Sequence, residues 1–280
     1  MVKCLGMRTL ALVLLGCGAT VPGQSPPSTS AAVERVLRGT HGAAMVVDVV
    51  SGRVLASYGA VEREAAPGST LKPFVLRAAL ETGAVSERAT VACRGTLMVK
   101  GHNLTCVHPR AIPMMDAREA LQESCNNYFA RVAGRMGSGA LVEGLRTYGL
   151  RPVGAVVSQD ERVLLALGVE GIRVSPKELA EAYRRLALEM TGSQRGSVAV
   201  VRDGLMQSVE TGMAHGAHTR GVALGGKTGT ADGPGGWGSH GWFAGVLFNG
   251  ATAERVIVVF VPDGNGNDAA GLARRILAGR

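Results

Sequence analysis

The 280-residue chain predicts an α/β (α+β) fold. A mixed, mainly antiparallel sheet is built from both chain ends and flanked by helices, and a helical lobe is inserted in the middle. Three observations predict it. Apolar, β-branched runs gather near the two ends of the folded part, at 43–58 and 226–261. The stretch from Asp116 to about Met190 carries apolar residues at helical spacings of three and four. No internal repeat of 20–50 residues interrupts this order.

The chain starts with a targeting segment. Lys3 and Arg8 form a short positive region before an apolar run, Thr9 to Gly16, that is too short to span a bilayer as a helix. The run ends in Leu14-Leu15-Gly16-Cys17, which resembles a bacterial lipoprotein signal. Residues 1–17 are therefore expected to be a signal peptide, with Cys17 acylated after cleavage. An ordinary secretory signal with an incidental Cys is the alternative. Lipid on Cys17 would hold the protein at a membrane surface without spanning it. Residues 18–33 are rich in Pro and Ser and read as a tether. The folded domain is expected over 34–280, in the cell envelope, in a periplasm or on the outer face of a membrane.

Within it, Ala43 to Val50 is β-branched and apolar, Ser51-Gly52 makes a turn and Arg53 to Tyr58 returns, which predicts a hairpin. Pro67-Gly68 then breaks the chain, and a helix is predicted from Ser69 to Glu81, with Pro73 in its first turn. Two long helical patterns follow in the middle stretch, then a helix over about Arg202 to Ala214. Strands are predicted at Gly226–Ala231, Gly241–Phe248 and Arg255–Val261, and a last helix at Ala269–Leu277.

Composition narrows the function. Hydrophobic residues are 46% and charged residues 19%, which excludes a disordered chain. Aromatics at 4% argue against a stacking platform for nucleic acid. The net charge of +8 is spread out, without basic runs, so no nucleic-acid partner is expected. An anionic polymer or lipid surface suits such a charge. Of the cysteines past the signal, Cys93 and Cys106 are close in sequence, and export would let them clip a loop by a disulfide. Two free thiols are the alternative. Cys125 reads as a small packed residue. There is no Cys-x-x-Cys, and His215 and His218 have no third ligand near them in sequence, so neither metal nor cofactor is expected.

Three motifs can carry chemistry. Ser69 and Lys72 are three apart at a helix start, so they share a face, and the Ser lies where free N–H groups favour negative charge. A partly desolvated Lys72 beside another cation can be neutral and take the Ser proton. Ser124-Cys125-Asn126 lies in a helical stretch. Lys227-Thr228-Gly229-Thr230 opens a predicted strand, with a cation, two hydroxyls and a glycine that lets a ligand backbone approach. His240 and Trp242 follow a Gly-rich loop. They either shape a cleft rim or belong to a plain hairpin with Trp242 in the core.

The order Ser-x-x-Lys, Ser-x-Asn, Lys-Thr-Gly resembles the signature of penicillin-binding proteins and serine β-lactamases. PGSTLKPF, ESCNNYFA, ALGVEGIRVSPKELAEAYRRLA, GGKTGTADG and HGWFAG are similar to stretches of the class B, monofunctional penicillin-binding proteins, and CRGTLMVKGHNLTC to a Cys-flanked loop in some of them. The likeness runs from about Gly42 to the end and implies a β-lactamase/transpeptidase-like fold.

It also implies roles. Ser69 would attack the D-Ala-D-Ala carbonyl of a peptidoglycan stem peptide, with Lys72 as base. Ser124 would relay a proton to the leaving D-alanine. Asn126 would hold a substrate amide and touch Lys72. Lys227 would keep the site positive, Thr228 and Thr230 would bind the terminal carboxylate, and the N–H groups of Ser69 and Thr230 would form an oxyanion hole. A β-lactam would be trapped on Ser69.

The acceptor of the acyl group stays open between an amine (D,D-transpeptidase) and water (D,D-carboxypeptidase). The rivals are a serine β-lactamase and a non-catalytic β-lactam- or peptidoglycan-binding module. The Glu-x-x-Leu-Asn setting of class A β-lactamases is missing, and class D enzymes usually carry an apolar residue in place of Asn126. The intact motifs argue against a degenerate module. Class B proteins also usually have a large N-terminal pedestal domain, whereas here the hairpin follows the tether almost directly.

Overall fold

The computed structural model describes residue 1 and residues 28–108, 114–192, 195–232 and 238–279. Beyond residue 1, the expected signal peptide, with Cys17, and most of the expected tether lie outside the described residues. The tether's end is corrected: helix α1 (Thr29–Leu37) already begins at its C-terminal part, capped by the Ser28 side chain, which accepts from the Ala31 N–H.

The predicted hairpin forms as β1 (Ala43–Asp48) and β2 (Val54–Tyr58), paired antiparallel with Ala44 opposite Tyr58. Three longer strands close the sheet: β7 (Ala223–Asp232), β8 (Ser239–Asn249) and β9 (Thr252–Val261). The order is β2-β1-β9-β8-β7, antiparallel throughout. The β1–β9 pairing is what makes one sheet from both chain ends.

Alternation along the strands divides the core in two, because successive side chains leave opposite faces. Met45, Val47, Trp242 and Val258 face one apolar cluster, while Ala44, Val46, Phe243 and Ile257 face the other. Helices α1 and α9 (Gly266–Leu277) cover the second face. The first face meets α2 (Lys72–Glu81), α7 (Pro176–Met190) and α8 (Gly196–Glu210). A sheet covered on both sides explains why Val256–Phe260 is an unbroken apolar run.

The lobe consists of α3 (Ala117–Gln122), α4 (Asn126–Arg135), α5 (Ser138–Arg146) and α6 (Gln159–Ala166). The starts of its helices α3 and α6, and of α7 after it, are written in the sequence. Asp116 with Glu119, Ser158 with Glu161, and Ser175 with Glu178 each form a capping box. Each such cap stabilises its helix by about 1 kcal/mol. Before the lobe, short strands β3 (Val91–Ala92), β4 (Met98–Val99), β5 (His102–Asn103) and β6 (Met114–Met115) pair as β3–β6 and β4–β5.

Two helix boundaries differ from expectation. The helix placed over Ser69–Glu81 begins as a 3₁₀ turn, Gly68–Leu71, before α2. The one placed over Arg202–Ala214 is α8, shifted toward the N-terminus. Among the described residues no helix is long and apolar enough to cross a membrane.

Candidate active site

The 3₁₀ turn presents Ser69 at the sheet edge, and long-range bonds hold it there. The Gly68 N–H donates to the Gly168 carbonyl at 2.9 Å. The Tyr183 hydroxyl donates to the Thr70 carbonyl at 2.9 Å, and the Thr70 hydroxyl to the Pro67 carbonyl at 2.7 Å. Gly68 itself has φ +54, and a Cβ there would lie 2.6 Å from the Thr230 carbonyl oxygen. Only glycine lets the Ser69 turn lie flat on β7.

His240 and Trp242 settle the question left open about them. Both donate to the Ala66 carbonyl, from Nε2 at 2.8 Å and from Nε1 at 2.9 Å. Trp242 is also fully buried in the core. Burial lowers the His240 pKa, so the ring stays neutral with its proton on Nε2, as the carbonyl requires. These two residues position the Ser69 turn from behind. Their partner is 174 and 176 residues away in sequence, so nothing in the chain's order signals the contact.

Lys72, at the start of α2, is completely buried. Its Nζ donates to Asn126 Oδ1 at 2.5 Å, the Ser124 carbonyl at 2.8 Å and Ser124 Oγ at 3.2 Å. Burial lowers its pKa to about 8, against an opposing pull from the nearby Cys125 and Cys106 sulfurs. Lys227 is equally buried, and its pKa falls well below the usual lysine value through desolvation first and the Lys72 charge second. The buried Glu123 carboxylate offsets part of this. Lys227 Nζ donates to the Thr228 carbonyl at 3.1 Å.

The Ser124 motif is not inside a helix, as its pattern suggested. Ser124 sits between α3 and α4 with φ +55. Left-handed backbone is costly for serine and occurs where the surroundings impose it. Here it turns Ser124 toward Lys72. The Asn126 amide is likewise oriented from both ends, since its Nδ2 donates to the Leu104 carbonyl at 2.8 Å.

Strand β7 forms the other wall and is the sheet's edge strand. Gly229 packs against the Ser69 turn; a Cβ there would come 2.6 Å from the Pro67 carbonyl oxygen. Thr230 is exposed, and its hydroxyl accepts from the Gly266 N–H at 2.9 Å. Ser69, Ser124, Asn126, Thr228, Gly229 and Thr230 together line one cleft of about 300 Å³, with Lys72 and Lys227 buried beneath it. All three motifs, separated by up to 161 positions, thus converge on one site.

Residues 42–278 match the penicillin-binding protein transpeptidase domain family. The chain belongs to that family. Penicillin-binding protein 3 of Bacillus subtilis (strain 168) is 29% identical over 208 aligned positions, covering 60% of this chain and 31% of that protein. The chain therefore spans about a third of the length of this curated relative.

Solved transpeptidase domains share the fold. The D,D-transpeptidase domain of an Eggerthella lenta peptidoglycan glycosyltransferase has a TM-score of 0.75 at 20% identity, covering 90% of this chain and 80% of that one. The corresponding domain of Burkholderia pseudomallei penicillin-binding protein 3 has 0.74 at 22%, covering 92% and 96%. Pseudomonas aeruginosa PBP2, solved in complex with WCK 5153, has 0.73 at 20%, covering 88% and 75%.

One expectation for this transpeptidase-family domain is corrected. Cys93 and Cys106 are not bridged; both are free thiols, as is Cys125. Each sulfur has another neighbour. Cys93 Sγ lies 3.3 Å from His108 Nε2, and Cys106 Sγ lies 3.9 Å from Cys125 Sγ. Together with His108, the three cysteines bring four donor atoms within 4.8 Å of one another.

Proposed function

We propose that the domain is a serine acyltransferase acting on D-Ala-D-Ala ends of peptidoglycan stem peptides, through an acyl-enzyme on Ser69. The observation that carries this reading is the buried Lys72, one turn beyond Ser69. Its amine bonds Ser124 and Asn126, and burial brings its pKa within reach of neutrality.

Neutral Lys72 accepts the Ser69 proton as Oγ bonds to the penultimate carbonyl carbon. The oxyanion falls to the N–H groups of Ser69 and Thr230, and Gly68 and Thr230 backbone atoms pack closely enough to support that pairing. As the C–N bond breaks, the proton passes through Ser124 to the departing D-alanine. The substrate carboxylate is held by Thr228 and Thr230, and its charge compensates two lysines that otherwise disfavour each other. The acyl group then passes to an amine of a second stem peptide or to water. A β-lactam follows the same first step, but its ring opens without releasing a leaving group and the adduct persists.

The same reading places the domain in the cell envelope, held on a membrane surface by lipid at Cys17. Unchanged membrane pelleting of Cys17→Ser would defeat that part.

The central test is intact mass after mixing with benzylpenicillin, beside Ser69→Ala. The expected result is a stable adduct of the whole antibiotic on the wild type only. Labelling retained in Ser69→Ala overturns the Ser69 assignment, and rapid drug loss without an adduct means a β-lactamase.

A further inference from the structure

The 93–108 segment lies against the Ser124 junction, and together they bring three thiols and an imidazole to one point. Cys93, Cys106 and His108 come from the loop; Cys125 comes from between Ser124 and Asn126. Cys125 is 1% exposed and the other three are half-buried. Soft sulfur donors with one imidazole, four in number, are the donor set of a closed tetrahedral zinc site.

The distances fit such a site. Zinc–sulfur bonds of about 2.3 Å and zinc–nitrogen bonds of about 2.05 Å give tetrahedral edges of about 3.8 Å (S···S) and about 3.6 Å (S···N). The Cys106–Cys125 sulfurs are 3.9 Å apart, and Cys93 Sγ and His108 Nε2 are 3.3 Å apart. All four atoms lie within 4.8 Å of one another, so small adjustments complete the tetrahedron. The Asn127 side chain adds an outer partner, its Nδ2 donating to Cys106 Sγ at 3.4 Å.

We propose that Cys93, Cys106, His108 and Cys125 bind one zinc ion that fastens the 93–108 loop to the Ser124-Cys125-Asn126 segment. Zinc binds His108 through the Nε2 lone pair and the cysteines as thiolates, releasing up to three protons to solvent. No oxidant or reductant takes part. The ion stands outside the cleft and has a structural part. It ties the wall that supplies Leu104, whose carbonyl accepts from Asn126, to the residue next to Asn126 itself. The proposal does not depend on the acyl-transfer reading, because metal content and penicillin adduct are separate measurements.

The test is zinc content of the purified full chain, kept reduced, by elemental mass spectrometry. One zinc per chain is expected, resisting dialysis. After chelation, cobalt(II) should restore the site with thiolate-to-metal charge-transfer and tetrahedral ligand-field bands. His108→Ala and Cys106→Ser should each weaken zinc binding on the order of 100-fold or more, since loss of even an outer partner costs roughly 10–100-fold. His108 is half-buried, so circular dichroism of His108→Ala separates a lost ligand from a lost fold. Three outcomes overturn the proposal: no zinc or cobalt taken up by the folded, reduced protein; unchanged affinity in both folded variants; or a peptide map of the protein as isolated that joins Cys93 to Cys106.

Discussion

The wall of the cleft made by β7 and the Ser69 turn rests on a long continuous strand ladder, with ring and hydroxyl donors fastening the turn from behind, whereas the wall made by loop 93–108 and the Ser124 junction rests on very short strands and side-chain contacts. On the sheet side, β7 pairs with β8 along its whole length, from Ala223 opposite Phe248 to Asp232 opposite Ser239. Glycines at 68 and 229 let the turn and the strand touch without side chains between them. On the lobe side, β4 and β5 are two residues each, and the loop meets α4 through Asn126, Asn127 and the thiol group. A wall built on a continuous ladder fixes the backbone of Thr228, Gly229 and Thr230 firmly. A wall built from side chains can differ in sequence while still aiming Ser124 and Asn126 at Lys72. Lys72 bonds one wall and sits one turn from the other, so it joins the two.

The largest effect should therefore come from Lys72. Lys72→Ala is expected to slow acylation by penicillin by about 10²–10⁴-fold in stopped-flow labelling, the usual worth of a positioned base. A loss of less than tenfold would mean that neither wall needs this residue as proton acceptor.

The pH profile comes next. Only the neutral amine accepts the proton, and burial sets the Lys72 pKa near 8. Acylation should be level above that pH and fall about tenfold per unit below it, or roughly 100-fold by pH 6. A flat profile from pH 6 to 9 would assign the base elsewhere.

The two walls can then be set against each other. Gly229→Ala puts a Cβ 2.6 Å from the Pro67 carbonyl oxygen and 3.0 Å from Thr70 Cγ2. Overpacking of that kind costs about 1–3 kcal/mol. Melting should drop by several degrees and acylation should slow.

Asn127→Ala on the lobe side removes contacts to the Gly95 and Thr96 carbonyls that are long, at 3.4 Å each. Its effect on melting should be about 1 kcal/mol or less. If Asn127→Ala destabilised more than Gly229→Ala, the contrast between a ladder-held and a side-chain-held wall would fail.

The legible parts share a property. The helical spacing from Asp116 to about Met190, the hairpin around Ser51-Gly52, and the β9 run from Val256 to Phe260 are all local patterns. Spacing of two or of three to four residues carries them. The three motifs were visible because each is short and contiguous. What misled was also local. Apolar spacing runs through Ser124 without showing that the backbone there turns left-handed, because Lys72, 52 residues away, is what holds it. Cys93 and Cys106 looked like a pair because sequence order shows neighbours along the chain and not the third thiol, from Cys125, that shares their space.

By itself, then, the sequence determined the long strands and helices of the folded part and which residue types are available for chemistry, since strand and helix spacing and motif spacing act within a few residues. The tertiary structure decided how those residues meet. It placed two ring N–H donors on the Ala66 carbonyl and buried two lysines side by side. It also gathered three thiols and an imidazole beside Asn126. Each of these joins groups far apart in the chain, and their geometry exists only when the sheet, the lobe and the loop have closed on one another.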